Sequence, residues 1–289
     1  MLLPQYQEQP QPLRENNIAN MNSQLPIGVF DSGIGGLTIV KALNALLPDE
    51  SILYFGDTAH LPYGDKSPEL LQGYADIITH FLLETGVKAI VIACNTASAV
   101  ALNTVKNIAG DIPVFDVIQP AVKNALLISP MKRIGVIGTR TTIQSHVYLK
   151  SLLDLAPDAL VIEKATPLLV PMIEEGWNHH QISIEIIEAY MSDTGFNHID
   201  SVILGCTHYP LIRSEIQNYF DKTNARKVEV IDSSLAVASE VQKQLTVLNL
   251  LNTNSDSVNH KFFVSDLTPG FKDTAKMFLG REVILNKHN

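Results

Sequence analysis

Hydrophobic and polar positions alternate along this chain in blocks. Short apolar runs recur at 26–30, 51–55, 90–93, 113–116, 134–137, 159–162, 201–204 and 228–231. Runs of this length, bounded by Gly, Pro or polar clusters, predict strands buried on both faces. Between them lie longer stretches with apolar residues every third or fourth position. The segment 37–47 is one. In another, Leu70, Leu71, Tyr74, Ile77, Ile78, Phe81 and Leu82 mark a single helix face, with Gly86 as the stop. Strands interleaved with helices predict an α/β fold of mostly parallel sheets flanked by helices. Late strands are expected at 261–265 and 282–285, after a linker at 252–257.

Two of the apolar runs end in chemistry. Val202-Ile203-Leu204-Gly205 is followed by Cys206, Thr207, His208, Tyr209 and Pro210, and Ile90-Val91-Ile92-Ala93 by Cys94, Asn95 and Thr96. These are the only cysteines in 289 residues. Open parallel sheets bind ligands at the C-terminal ends of their strands. A second repetition accompanies the first. Ile27-Gly28-Val29-Phe30-Asp31-Ser32 resembles Ile134-Gly135-Val136-Ile137-Gly138-Thr139 at an offset of 107, and the cysteines are offset by 112. Near-equal offsets predict a duplicated α/β unit. The expectation is two similar domains face to face, with both cysteines facing one interdomain cleft.

Composition narrows the function classes. A net charge of −9 without a Lys/Arg cluster argues against nucleic acid as the main partner. No apolar run approaches the ~20 residues a bilayer span needs. Residues 1–25 are rich in Gln, Asn and Pro and lack the cationic start and apolar core of a signal peptide. They read as a flexible tail, with an ordered regulatory arm as the alternative. The cytoplasm is the default address, where two cysteines are expected as thiols.

A thiol opening a helix gains from the helix dipole, and its pKa is expected to fall below the ordinary ~8.5. Place a chiral carbon between two such thiols. One thiolate removes a proton from one face while the opposite thiol protonates the other, and the centre inverts. That is general acid–base catalysis with symmetric placement. No lysine context points to pyridoxal phosphate, so the pocket itself would stabilise the developing charge. Gly33, Gly35 and Gly36 do not complete a dinucleotide loop, because Thr38 holds the last glycine's place. Cys94, Cys206 and His208 without a paired C-x-x-C are a thin case for zinc. A disulfide redox switch and a non-catalytic binding protein stand as alternatives.

Four motifs in register then carry a resemblance: Phe30-Asp31-Ser32-Gly33-Ile34-Gly35-Gly36-Leu37, Pro62-Tyr63-Gly64, Ala93-Cys94-Asn95-Thr96-Ala97 and Gly205-Cys206-Thr207-His208-Tyr209-Pro210. With Val230-Ile231-Asp232-Ser233, they resemble the glutamate racemases from about 26 to 270. The resemblance implies a cofactor-independent, two-base isomerase interconverting L- and D-glutamate and supplying D-glutamate for peptidoglycan, hence for cell-wall biogenesis and cell shape. It also implies a homodimer, and two α/β domains with the second inserted in the first: 26–118 plus 230–289, and 119–229. By position, Cys94 and Cys206 are the bases. Asp31 assists Cys94, while His208 and Glu174 assist Cys206, with Glu175 adjacent as a rival. Asp31, Ser32, Tyr63, Gly64, Asn95, Thr96, Thr207 and His208 match substrate-binding positions. One departure stands at Thr166, where many members carry a cysteine before the Val170-Pro171 step. Some members with N-terminal extensions are activated by UDP-N-acetylmuramoyl-L-alanine, and the same control is open here. An aspartate racemase of the same design is the nearest alternative.

Overall fold

A computed structural model describes residues 23–178, 180–223, 227–254 and 258–288. Most of the expected tail, His179 of a His179-His180 pair, and residues 255–257 of the expected linker lie outside them.

Among the described residues the apolar runs form ten strands: β1 (Ile27–Asp31), β2 (Ile52–Gly56), β3 (Ala89–Ile92), β4 (Val114–Asp116), β5 (Arg133–Gly138), β6 (Leu160–Ala165), β7 (Ser201–Gly205), β8 (Glu229–Ile231), β9 (Lys261–Val264) and β10 (Leu285–Lys287). Every residue of β1, β2, β3 and β7 is buried, as unbroken apolar runs require. All neighbouring strands pair in parallel. One sheet has the order β10-β9-β2-β1-β3-β4 and the other β6-β5-β7-β8.

The inner order β2-β1-β3-β4 is repeated by β6-β5-β7-β8. The echoed motifs begin on β1 and β5, and the cysteines follow β3 and β7. The repetition read from the sequence is therefore also a repetition of topology. The last strand begins at Leu285, where 282–285 was expected to end, because Leu285 is the position that pairs with Phe262. The polar stretch from Gly56 to Lys66, expected as a loop, begins on the last residue of β2 and holds two short 3₁₀ turns, Thr58–His60 and Tyr63–Asp65.

Helices cover the sheets. Among the described residues they are α1 (Leu37–Leu46), α2 (Pro68–Thr85), α3 (Asn95–Ala109), α4 (Ile118–Ile128), α5 (Arg140–Gln144), α6 (Val147–Leu155), α7 (Leu169–Glu174), α8 (Gln181–Met191), α9 (Arg213–Thr223), α10 (Ser234–Val247) and α11 (Pro269–Leu279). Helix α2 shows why such segments start and stop. The Ser67 hydroxyl accepts from the Leu70 N–H, Pro68 opens the first turn, and Gly86 ends it at φ 85°. No helix among the described residues is long and apolar enough to cross a membrane.

Candidate active site

The two strand-end cysteines open onto one cavity of about 250 Å³. Its walls include Ser32, Tyr63, Gly64, Asn95 and Thr96 with Cys94, and Glu174, Thr207 and His208 with Cys206. Of the residues carried over by resemblance, only Asp31 stays behind the wall. Glu175 is not on it either, which favours Glu174 of the adjacent pair. The cysteines are 4% and 8% exposed, so each shows little more than its sulfur edge. Both are thiols, not bonded to each other.

Cys94 sits at the N-cap of α3, and its sulfur accepts the Ala97 N–H at 3.5 Å. The helix start was expected to lower this thiol's pKa. The opposite holds. Burial and the nearby Asp31 carboxylate push it up to about 12, against the Ala97 N–H and the Ser32 hydroxyl. Desolvation of a thiolate outweighs one helix terminus here. Asp31 itself is fully buried at the end of β1. Burial raises its pKa, opposed by His208 and by the N–H groups around it. Its Oδ2 accepts from Gly33 at 3.1 Å and Gly36 at 2.9 Å, while Oδ1 has no hydrogen-bond partner.

His208 stands between two acidic groups. Its Nδ1 lies 3.7 Å from the Cys206 sulfur and its Nε2 lies 2.9 Å from Glu174 Oε1. Burial pulls the imidazole down, but the hydrogen bonds and charges of Cys206 and Glu174 override it and hold His208 up at about 10. His208 therefore carries a proton at neutral pH. The Phe278 ring of α11 meets it edge-on, with centroids 5.0 Å apart.

The glycine turn after β1 makes this proximity sterically feasible. A Cβ on Gly35 would lie 2.5 Å from the His208 ring, and one on Gly36 would lie 2.6 Å from Asp31 Cβ. The Thr38 hydroxyl, where a dinucleotide loop would have its last glycine, donates to the Gly35 carbonyl and the Thr207 carbonyl. It joins the two halves instead.

Three threonine hydroxyls close a triangle beside the cavity: Thr96 to Thr139 at 2.9 Å, Thr96 to Thr142 at 3.1 Å, and Thr139 to Thr142 at 2.9 Å. Asn95 donates to the Tyr148 hydroxyl at 2.8 Å. Thr166 bonds the Tyr209 hydroxyl at 2.7 Å. The sequence reading missed Thr139 and Arg140 as wall residues. The signal was available, since the 107-residue offset maps Ser32 onto Thr139. Arg140 had no such marker, and it bonds Asp65 across the cavity mouth at 2.9 Å.

Chemically, the site offers two thiols, a protonated imidazole, buried hydroxyls and helix-start N–H groups. It has the parts for proton transfer on an anionic molecule. Among the described residues, no group of three or more His, Cys, Asp or Glu gathers as for a metal ion.

The family model for Asp/Glu/Hydantoin racemases matches residues 36–241. Glutamate racemase of Neisseria meningitidis serogroup C is 43% identical over 262 residues, spanning 91% of this chain and 95% of that protein. The glutamate racemase of Syntrophus aciditrophicus is 42% identical over 258 residues, 89% of this chain and 94% of that one. Among solved structures, Francisella tularensis glutamate racemase in complex with D-glutamate superposes with a TM-score of 0.86 at 41% identity, covering 92% of this chain and 98% of that one.

Proposed function

The chain belongs to the Asp/Glu/Hydantoin racemase family, and from that premise we propose that it interconverts L- and D-glutamate by two-base proton transfer between Cys94 and Cys206. It is an isomerase. The observation that carries the proposal is the single cavity walled by both cysteines, one from the end of a strand in each sheet. The relatives named glutamate racemases, and the one bound to D-glutamate, support glutamate over aspartate.

In this reading the substrate lies between the sulfurs. With Cys94 neutral at rest, Cys206 takes the α-proton and Cys94 gives its own to the opposite face. Turnover leaves Cys206 a thiol and Cys94 a thiolate, the arrangement that serves the reverse direction; the protonated His208, held by Glu174, stands beside the first sulfur and Asp31 beside the second. Ser32, Asn95, Thr96 and Thr207 supply hydroxyl and amide donors for the substrate's carboxylates, and Tyr63 and Gly64 wall its side chain. The chemistry conserves electrons and protons, and the product differs only in handedness. Its use is the supply of D-glutamate for peptidoglycan. The same reading divides the chain into two α/β domains. The chain returns to the first after Ile231, because β8 pairs with β7.

Incubation of the full chain with L-glutamate in heavy water, with no added cofactor, tests this. Loss of optical rotation together with α-deuterium uptake is expected. Cys94→Ser and Cys206→Ser are each expected to lower steady racemisation by about 10²–10⁴-fold while the fold persists by circular dichroism. Near-normal turnover in either variant would end the two-base assignment. Inversion of aspartate alone would move the substrate.

A further inference from the structure

Behind the cavity wall lies a buried carboxylate that proton transfer does not use. Asp57 follows β2 directly, is 3% exposed, and is not part of the cavity lining. It stands at the N-cap of the first 3₁₀ turn, yet its side chain does not cap that turn. It reaches further. The Tyr63 hydroxyl donates to Oδ2 at 2.5 Å, the Ser265 hydroxyl donates to Oδ1 at 2.8 Å, and His60 Nδ1 lies 2.7 Å from Oδ1. The Asp57 N–H donates to the Asp31 carbonyl at 3.0 Å. One residue thus ties three things together: the strand end that carries Asp31, the strap that carries Tyr63 and Gly64, and the segment after β9.

The strap needs such an anchor. Residues 57–66 make no β-ladder, and their only regular structure is two single turns. Tyr63 faces the cavity with its hydroxyl already committed to Asp57, so what it offers a substrate is its ring and main chain. Other contacts align with the same carboxylate. Ser265 also accepts the Ala59 N–H at 2.9 Å, and the His60 ring stacks on Tyr74 with centroids 4.1 Å apart. A buried carboxylate with three donors is satisfied, and removing it would strand the buried Tyr63 hydroxyl, since the half-exposed His60 and the partly exposed Ser265 can turn to water.

We propose that Asp57 is a positioning residue for substrate binding, holding Tyr63, and with it the 61–64 wall of the cavity, at the distance the substrate requires. The proposal rests on the glutamate racemase reading above. Because Asp57 touches neither the substrate nor the thiols, its loss acts on binding more than on proton transfer.

The test is steady-state racemisation of glutamate by the full chain and four variants: Asp57→Ala, Asp57→Asn, Tyr63→Phe, and the Asp57→Ala/Tyr63→Phe double variant. Melting curves accompany the kinetics. Asp57→Ala is expected to raise KM about tenfold or more, with kcat within about threefold. Tyr63→Phe keeps the ring and removes the donor, so KM rises in the same direction. The double variant is expected to be no worse than Asp57→Ala alone, since both changes break one bond. Asp57→Asn retains a carbonyl that accepts from Tyr63 and restores part of the loss. Should Asp57→Ala fail to fold, Tyr63→Phe and Asp57→Asn carry the same comparison. Unchanged KM in the folded variants, even with lowered melting temperatures, would reduce Asp57 to packing and overturn the proposal alone, as would fully additive single effects. A wild-type chain inert toward glutamate would overturn the underlying reading with it.

Discussion

A thiol and an imidazole at this site are displaced from their ordinary pKa values in the same direction for different reasons. Cys94 rises because its thiolate would be buried beside a carboxylate; His208 rises because its cation is flanked by Cys206 and Glu174. The consequence for stability has a definite sign. A group whose folded pKa is raised stabilises the fold fully below its ordinary value, and that contribution is lost as pH climbs through the folded value. For His208 the window runs from about 6.5 to about 10. For Cys94 it opens only above about 9. The stability difference between the wild type and His208→Asn should therefore shrink as pH rises from 6.5 to 9, before Cys94 contributes. Urea titrations at several pH values measure this, and a difference flat across the window would refute the imidazole's charge. At this scale the sequence was informative about identity and misleading about ionisation. Cys94, Cys206 and His208 announce themselves by following apolar runs. The direction of the Cys94 shift depends on Asp31, 63 positions earlier, and on how deeply both are buried. Asp57 was invisible for a related reason, since its partners Tyr63 and Ser265 come together only in the folded chain.

Elements were more legible than their contacts. Alternating apolar runs and amphipathic stretches located the strands to within a few residues, because burial on both faces demands unbroken apolar sequence. The glycine turn between β1 and α1 shows what remained hidden. The glycines that fail the dinucleotide pattern make a tight strand-to-helix turn. Its second role, admitting His208 and Thr207 from the other half, needs the tertiary structure. That role yields a paired prediction. Gly35→Ala places a methyl group 2.5 Å from His208 Nδ1 and 2.6 Å from the Thr207 hydroxyl. The ring must move, and kcat/KM should fall by about 10²-fold, the usual effect of a misplacement near 1 Å. Gly73→Ala, in the middle of α2 with nothing within 4 Å of the new methyl group, should instead stabilise the fold by about 0.5–1 kcal/mol. Kinetics and melting curves on both variants decide it. Equal behaviour at the two glycines would mean that backbone propensity, and not the approach of His208, sets the cost at Gly35.

On the scale of the whole molecule, the shared strand order of the two sheets explains why one cavity has two nearly equivalent walls. The sequence carried this as two offsets, 107 and 112, and the topology repeats it strand for strand. It carried nothing about what joins the halves, because those partners are brought together only by the fold. Beside a continuous apolar core that takes in residues of both sheets, two kinds of polar contact do so. One is buried and neutral: Asn95 to the Tyr148 hydroxyl, the threonine triangle, and Thr38 to the Thr207 carbonyl. The other is exposed and charged: Arg140 to Asp65 at the cavity mouth, both about half exposed. Exposed ion pairs contribute about 0–1 kcal/mol. A buried donor left without its acceptor costs about 1–3 kcal/mol. Tyr148→Phe, which strips the acceptor from the Asn95 amide, should therefore destabilise the fold more than Arg140→Gln does. The Arg140→Gln effect should also fade with added salt, whereas the Tyr148→Phe effect should not. Denaturant midpoints at low and high ionic strength rank the two. The reverse order would mean that the halves are held together at the rim of the cleft instead of along its floor.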